Sequence, residues 1–183
     1  MRHKIITFIL TIIVLAILVN MLGGGDETTT DTNINTNQSA EKAPEEKVYQ
    51  LNDVVKVNNA EVTVTKVEEK SVIGDPNFLG KEASEGATLV GVQYKLKNAS
   101  DKPMGMFDQP TINLVDEKGT EYDSDIDASG AYATETGIDN SKILSDLNPG
   151  ITVTGTTVYE ISKESFDQGK WYIQIDNQKV QIK

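Results

Sequence analysis

The stretch at residues 86–103, GATLVGVQYKLKNASDKP, decides the fold. Val90, Val92, Tyr94 and Leu96 fall on one face of an extended chain and Gln93, Lys95 and Lys97 on the other. That period of two is the signature of a half-buried antiparallel strand. The stretch therefore reads as a central strand whose outward Gln93, Lys95 and Lys97 face solvent. Pro103, which has no N–H to give to a ladder, marks its exit into a loop or edge.

Working outward, the neighbouring segments repeat the pattern. Upstream, residues 48–57 contain a strand, and Asn58-Asn59 is a turn dipeptide tolerant of positive φ. Residues 60–67 alternate until the phase slips at Lys66-Val67, which predicts a bulge. Residues 71–86 read as a long loop. Downstream, Ile112 and Leu114 share a face, and the run from Asp116 to Gly119 reads as a hairpin turn with glycine in the left-handed position. Residues 121–147 carry no regular pattern. Asn148-Pro149-Gly150 has the composition of a type II turn. Ile151, Val153, Gly155, Thr157, Tyr159 and Ile161 then form a second long alternating strand. Trp171, Ile173 and Ile175 share one face of a shorter strand, and Val180 and Ile182 one face of the last, with Asp176-Asn177 between them. No run shows convincing helical periodicity. About seven to nine short strands at this spacing predict an all-β, antiparallel sandwich of immunoglobulin-like type over residues 48–183.

The chain has 183 residues, 38% of them apolar, and a formal net charge of −11. That charge argues against a nucleic-acid partner, which is bound by Lys and Arg neutralising phosphates. The only arginine is Arg2 and the only histidine His3, and there is no cysteine. Disulfides and thiolate chemistry are thereby excluded. At the N-terminus, Arg2, His3 and Lys4 precede the uncharged 18-residue run from Ile5 to Leu22. A run of that length suits a membrane-spanning helix better than a cleaved signal, whose apolar stretch is roughly 7 to 15 residues. Residues 1–22 are expected to be a signal anchor, with a cleaved signal peptide and a secreted product as the alternative. The basic flank places the N-terminus inside and the rest outside the cell membrane. Residues 23–47, rich in Thr, Asn, Glu and Gly, should be a disordered polar linker.

Three segments in order, LVGVQYKLKNASDKP (89–103), INLVDEKGTEY (112–122) and LNPGITVTGTTVYEI (147–161), resemble the DUF4352 family of extracellular immunoglobulin-like domains of Gram-positive bacteria. That family is similar in fold to secreted mycobacterial immunoprotective antigens. The resemblance implies a β-sandwich anchored to or secreted from the cell envelope. It carries over no catalytic residues.

Candidate site residues lie in the two irregular segments. Asp123, Asp125 and Asp127 alternate as hard oxygen ligands for calcium would, beginning like an EF-hand loop. The frame then fails, with Ala128 in place of the glycine and Thr134 in place of the terminal glutamate, so a solvated acidic loop is the plainer reading. Phe78 and Leu79 form an apolar pair in a long loop, suited to a partner or to covering an open end of the sandwich. Tyr122 and Tyr132 are candidates to stack on a cell-wall polymer, or to cap the core. With His3 in the targeting segment, no histidine is left outside the membrane to act as a base. The expected function is a non-catalytic binding module for an unknown envelope protein or polymer. A calcium-dependent adhesion or sensing module and a carboxylate-dependent hydrolase are the alternatives.

Overall fold

A computed structural model of the chain describes residues 47–183. The expected anchor at 1–22 and the linker at 23–47, apart from Lys47, lie outside the described residues. Strand β6 (Ala87–Asn98) is central, as its alternation predicts: it pairs antiparallel with β3 (Ala60–Lys70) on one side and β9 (Thr152–Ser162) on the other. With β2 (Val55–Val57) they form a four-stranded sheet in the order β2-β3-β6-β9. The facing sheet has the order β1-β11-β10-β7-β8, built from β1 (Val48–Tyr49), β7 (Ile112–Asp116), β8 (Glu121–Tyr122), β10 (Trp171–Ile175) and β11 (Gln178–Gln181). Val62, Val64, Val90, Val92 and Leu96 from the first sheet meet Leu114, Trp171, Ile173, Ile175 and Val180 from the second in one buried cluster. Each fully buried aliphatic side chain contributes roughly 1.5–3 kcal/mol relative to exposure.

Local signals place the turns. The register of β3 on β6 shifts between Val64 and Lys66, at the predicted phase slip. Asn58, Gly119, Gly150 and Asp176 all have positive φ, at 47°, 80°, 76° and 50°, and each sits in a turn that the sequence marks. Asn98, fully buried at the end of β6, donates from Nδ2 to the carbonyls of Lys102 and Leu147 and accepts from Ser100. The strand-end asparagine thus ties two loops to the sheet.

The structure departs from the expected pattern in four places. Strand β1 runs parallel to β11, so the sandwich is not wholly antiparallel. The predicted loop at 71–86 contains a ribbon of β4 (Val72–Ile73) and β5 (Lys81–Glu82). Residues within 121–147 form an α-helix, α1 (Ile126–Thr136), capped at its start by the Asp125 side chain and ended by Gly137 in the left-handed conformation. A second helix, α2 (Lys163–Gln168), inserts Phe166 into the main core.

Helix α1 and the β4–β5 ribbon lie together on the outer face of the four-stranded sheet and close a second core of Ile73, Leu89, Ala128, Ala131, Tyr132 and Val158. Gly91 makes this packing possible, since a Cβ there would stand 2.9 Å from Cζ of Tyr132. The Tyr132 hydroxyl donates to Glu68 Oε2 at 2.5 Å and accepts from Gln93 Nε2 at 3.2 Å. Gln93 is therefore a partner of the helical layer and not a free solvent-facing residue.

Candidate functional site

Where helix α1 lies along β9, the sandwich is left open on one side as a groove of about 540 Å³. Its floor is built from the inner face of β6 and β9: Tyr94 and Leu96 are buried there and Thr157 lies beside them. Gly155 shapes that floor, because a Cβ at this position would stand 2.9 Å from Cζ of Tyr94 and would overlap the tip of Ile143. The walls come from Ile112, from a 3-10 turn at Met106–Asp108, and from the start of α1 with the Ile143–Leu144 segment opposite. Ile126 and Leu144 on the rim are 83% and 67% exposed. None of the sixteen lining residues is charged, although 25% of the chain is. The groove is thus an uncharged, apolar-walled concavity on a strongly acidic protein.

Most polar side chains in the groove are already committed. Ser129 Oγ donates to the Asp125 carbonyl at 2.6 Å and accepts the Val158 N–H at 2.9 Å. Asn140 Oδ1 accepts the Thr156 N–H at 2.9 Å, and its Nδ2 donates to the Thr156 carbonyl at 3.1 Å. The Asp125 N–H donates to the Val158 carbonyl at 2.8 Å. These bonds satisfy the outward backbone groups of Thr156 and Val158 in β9, the edge strand of its sheet, in the way that a neighbouring strand would. Gln109 Nε2 donates to the Ile143 carbonyl. The Tyr94 hydroxyl has no hydrogen-bond partner among the described residues, and burial pushes its pKa up to about 12, so it stays a neutral phenol.

The Asn140 bridge yields the first expected result. Asn140→Ala strips two partners from the Thr156 backbone and should cost about 1–3 kcal/mol. It should also produce a concentration-dependent dimer as the β9 edge becomes available for pairing. Urea melts and light scattering check both, and a monomer of unchanged stability would contradict the capping role.

The sequence-predicted candidates fall in different places. Asp123 and Asp127 are exposed, whereas Asp125 is the cap of α1: its Oδ1 accepts the Ala128 N–H at 2.8 Å and its Oδ2 pairs with Lys81 Nζ at 2.9 Å. Among the described residues no three acidic side chains gather as metal ligands would, these three included. Tyr122 lies in β8 with its ring 5.2 Å from that of Trp171, half-buried against the core. Tyr132 is fully buried and offers no ring face to a polymer, because α1 turns it onto Gly91. Phe78 and Leu79, 80% and 65% exposed, stand at the tip of the β4–β5 ribbon. Sequence reading missed Ile126 and Leu144. The one signal for them was large apolar residues inside segments otherwise polar.

Ion pairs fasten the two irregular segments to each other. Lys81 bridges Asp125 and Glu160, and Glu135 holds Lys70 and the Gly74 N–H. The Ala128 N–H and Lys81 hold the Asp125 carboxyl below its ordinary range, and Lys70 does the same for Glu135. A carboxylate with a depressed folded pKa adds stability above its unfolded value and loses it as pH falls through the folded one. Above pH 4.5, the ordinary value of a glutamate, the contribution is complete, and it fades as pH drops below the ordinary aspartate value of 3.8. Amide exchange in 71–85 and 126–140 should therefore accelerate between pH 5 and pH 3, at rates corrected for intrinsic chemistry, before the sandwich strands do. Uniform behaviour of both regions would contradict the ion-pair fastening.

The chain matches one family model and is similar to three known proteins. A family model described as a domain of unknown function, DUF4352, matches residues 49–173. The chain belongs to the DUF4352 family. It is 52% identical over 177 residues to the uncharacterized protein YxkC of Bacillus subtilis strain 168, covering 97% of this chain and 96% of that one. A crystal structure of a conserved hypothetical protein from Bacillus anthracis is 34% identical, with a TM-score of 0.67 over 77% of this chain and all of the other. An uncharacterized β-sandwich protein from Clostridium difficile 630 is 15% identical with a TM-score of 0.49, over 78% and 99% of the two chains. In this DUF4352 chain the two sheets form the β-sandwich expected over residues 48–183. Among the described residues no helix is long and apolar enough to cross a membrane, so the anchor expectation rests on residues 5–22 alone.

Proposed function

We propose that this chain is a membrane-anchored, extracytoplasmic β-sandwich that acts as a non-catalytic binding module at the cell envelope. The observation that carries the reading is the uncharged groove between α1 and the β6–β9 floor. Concave, apolar and held by rigid elements, it has the character of a recognition site of about 300–1,000 Å³. Its chemistry favours binding over catalysis. A hydrolase working through carboxylates needs two acids facing one space, and no Asp or Glu lines this groove. Its Ser129 hydroxyl is engaged by Asp125 and Val158 and has no base beside it. The apolar run from Ile5 to Leu22, the basic residues before it and the polar linker after it support the envelope placement.

Two measurements on cells test the reading. A photocrosslinking amino acid placed at Leu144 on the groove rim should give defined adducts. The same group at Lys56, on β2 at the opposite edge of the sheet, should not. Equal crosslinking from both would overturn the binding role. External protease should degrade the domain on intact cells while the N-terminal fragment stays with the membrane; a protected, cytosolic chain would overturn the placement.

A further inference from the structure

We propose that the groove receives the aliphatic tail of an envelope amphiphile, a single alkyl or acyl chain whose polar head stays in solvent. The inference rests on the reading of the groove as the binding surface and names what occupies it. Two observations separate an alkyl chain from a peptide. Every residue of a bound peptide brings one N–H and one C=O that need partners once buried. The groove has few to offer, since Ser129, Asn140 and the Gln109 amide are engaged within the fold. Strand addition to the stretch of β9 beside the groove is closed as well, because the outward groups of Thr156 and Val158 already bond to Asn140, Ser129 and Asp125. An alkyl chain makes no such demands.

Charge points the same way. No lining residue could pair with a charged group, and the chain carries −11 overall, so an anionic head would be repelled from the surface around the groove. The exposed Ile126 and Leu144 at the rim are the side chains that would fold over a bound tail. The Tyr94 hydroxyl, with no hydrogen-bond partner among the described residues, is part of the floor.

The test uses the full chain in phosphatidylcholine nanodiscs with a diazirine-bearing dodecanol as the probe. After illumination, label is expected on peptides containing Met106, Ile126 and Leu144, and excess plain dodecanol should remove it. Ile126→Glu with Leu144→Glu, both exposed positions that leave the fold intact, should reduce that label about tenfold, equivalent to 1.4 kcal/mol. A blocked leucine-rich pentapeptide carrying the same diazirine should leave the groove unlabelled. Preferential labelling by the peptide would overturn the aliphatic assignment while leaving the binding module standing. Dodecanol label spread evenly over the surface, or unchanged in the double variant, would also overturn it. Failure of the binding reading itself is seen separately, as equal crosslinking from Leu144 and Lys56 on cells.

Discussion

Tyr132→Ala is expected to destabilise the protein by about 3–5 kcal/mol, the range for truncating a fully buried aromatic ring. The ring is 0% exposed and fills the space between Gly91, Leu89, Val158 and the alanines of α1. Its loss leaves a cavity that the flat glycine floor cannot collapse to fill. The hydroxyl goes too, and with it the partner that most lowers the pKa of Glu68. Tyr132→Phe keeps the ring and loses the charge-assisted bond to Glu68 and the bond from Gln93, so it should cost less, about 1.5–3 kcal/mol. Because Tyr132 belongs to the second core, its truncation should release the helical layer first. Urea unfolding followed by both far-UV circular dichroism and Trp171 fluorescence checks this: the two transitions should separate in the alanine variant. Coincident transitions with a change under about 1 kcal/mol would mean that α1 is not held by this ring.

Trp171→Ala should have an effect of similar size, about 3–5 kcal/mol, and a different character. Trp171 is 1% exposed in the main core, 5.2 Å from the Tyr122 ring and 5.7 Å from the Phe166 ring. Its indole N–H donates to the Ser165 carbonyl at 3.2 Å, so it joins α2 to the second sheet. Truncation empties the largest buried side-chain volume in the sandwich and removes one of two donors to that carbonyl, which keeps the Gly169 N–H. A domain of ordinary stability, about 5–15 kcal/mol, loses much of its margin. Here unfolding should remain a single transition, because the sandwich itself is weakened and the helical layer has no sheet to sit on without it. Trp171→Phe, which keeps the aromatic contacts, should recover more than half of the loss in the same urea melts. A biphasic transition for Trp171→Ala would contradict the assignment of Trp171 to the shared core.

These two residues show which parts of the fold were legible in the sequence. Trp171 lies in a clean alternation with Ile173 and Ile175, and all three are buried where that alternation predicts. The slip at Val64 and Lys66 and the turns at Asn58, Gly119, Gly150 and Asp176 were likewise written locally, each in a residue type that favours its backbone geometry. Helix α1 was not. Its sequence, IDASGAYATET, holds a mid-helix glycine and two threonines, all poor helix formers, and its acids alternate in a way that resembles an ion-binding loop. Tertiary packing overrides those preferences. The surviving signal was Ala128, Ala131 and Tyr132 at i, i+3 and i+4, between Asp125 as a cap and Gly137 as a stop. The same helix explains why Asp125 became a cap and Tyr132 a core residue.

The groove was illegible for a different reason. It is assembled from β6, the 3-10 turn at Met106–Asp108, β7, α1, the Asn140–Leu144 segment and β9. No one of these carries a chemical motif. What the sequence did mark was the pair of irregular segments flanking the central strands, and the structure brings those segments together through Lys81, Asp125 and Glu135.

Everything proposed for this groove depends on residues 121–147 being docked along the edge of β9. Amide hydrogen exchange of Thr156 and Val158 in the wild-type chain measures that docking directly. Their N–H groups point away from β6 and are bonded to Asn140 Oδ1 and Ser129 Oγ. Protection comparable to that of interior β6 amides is the expected result. Exchange at the rate of a bare edge strand would show that the layer does not close over β9, and neither the capped edge nor the groove would then exist.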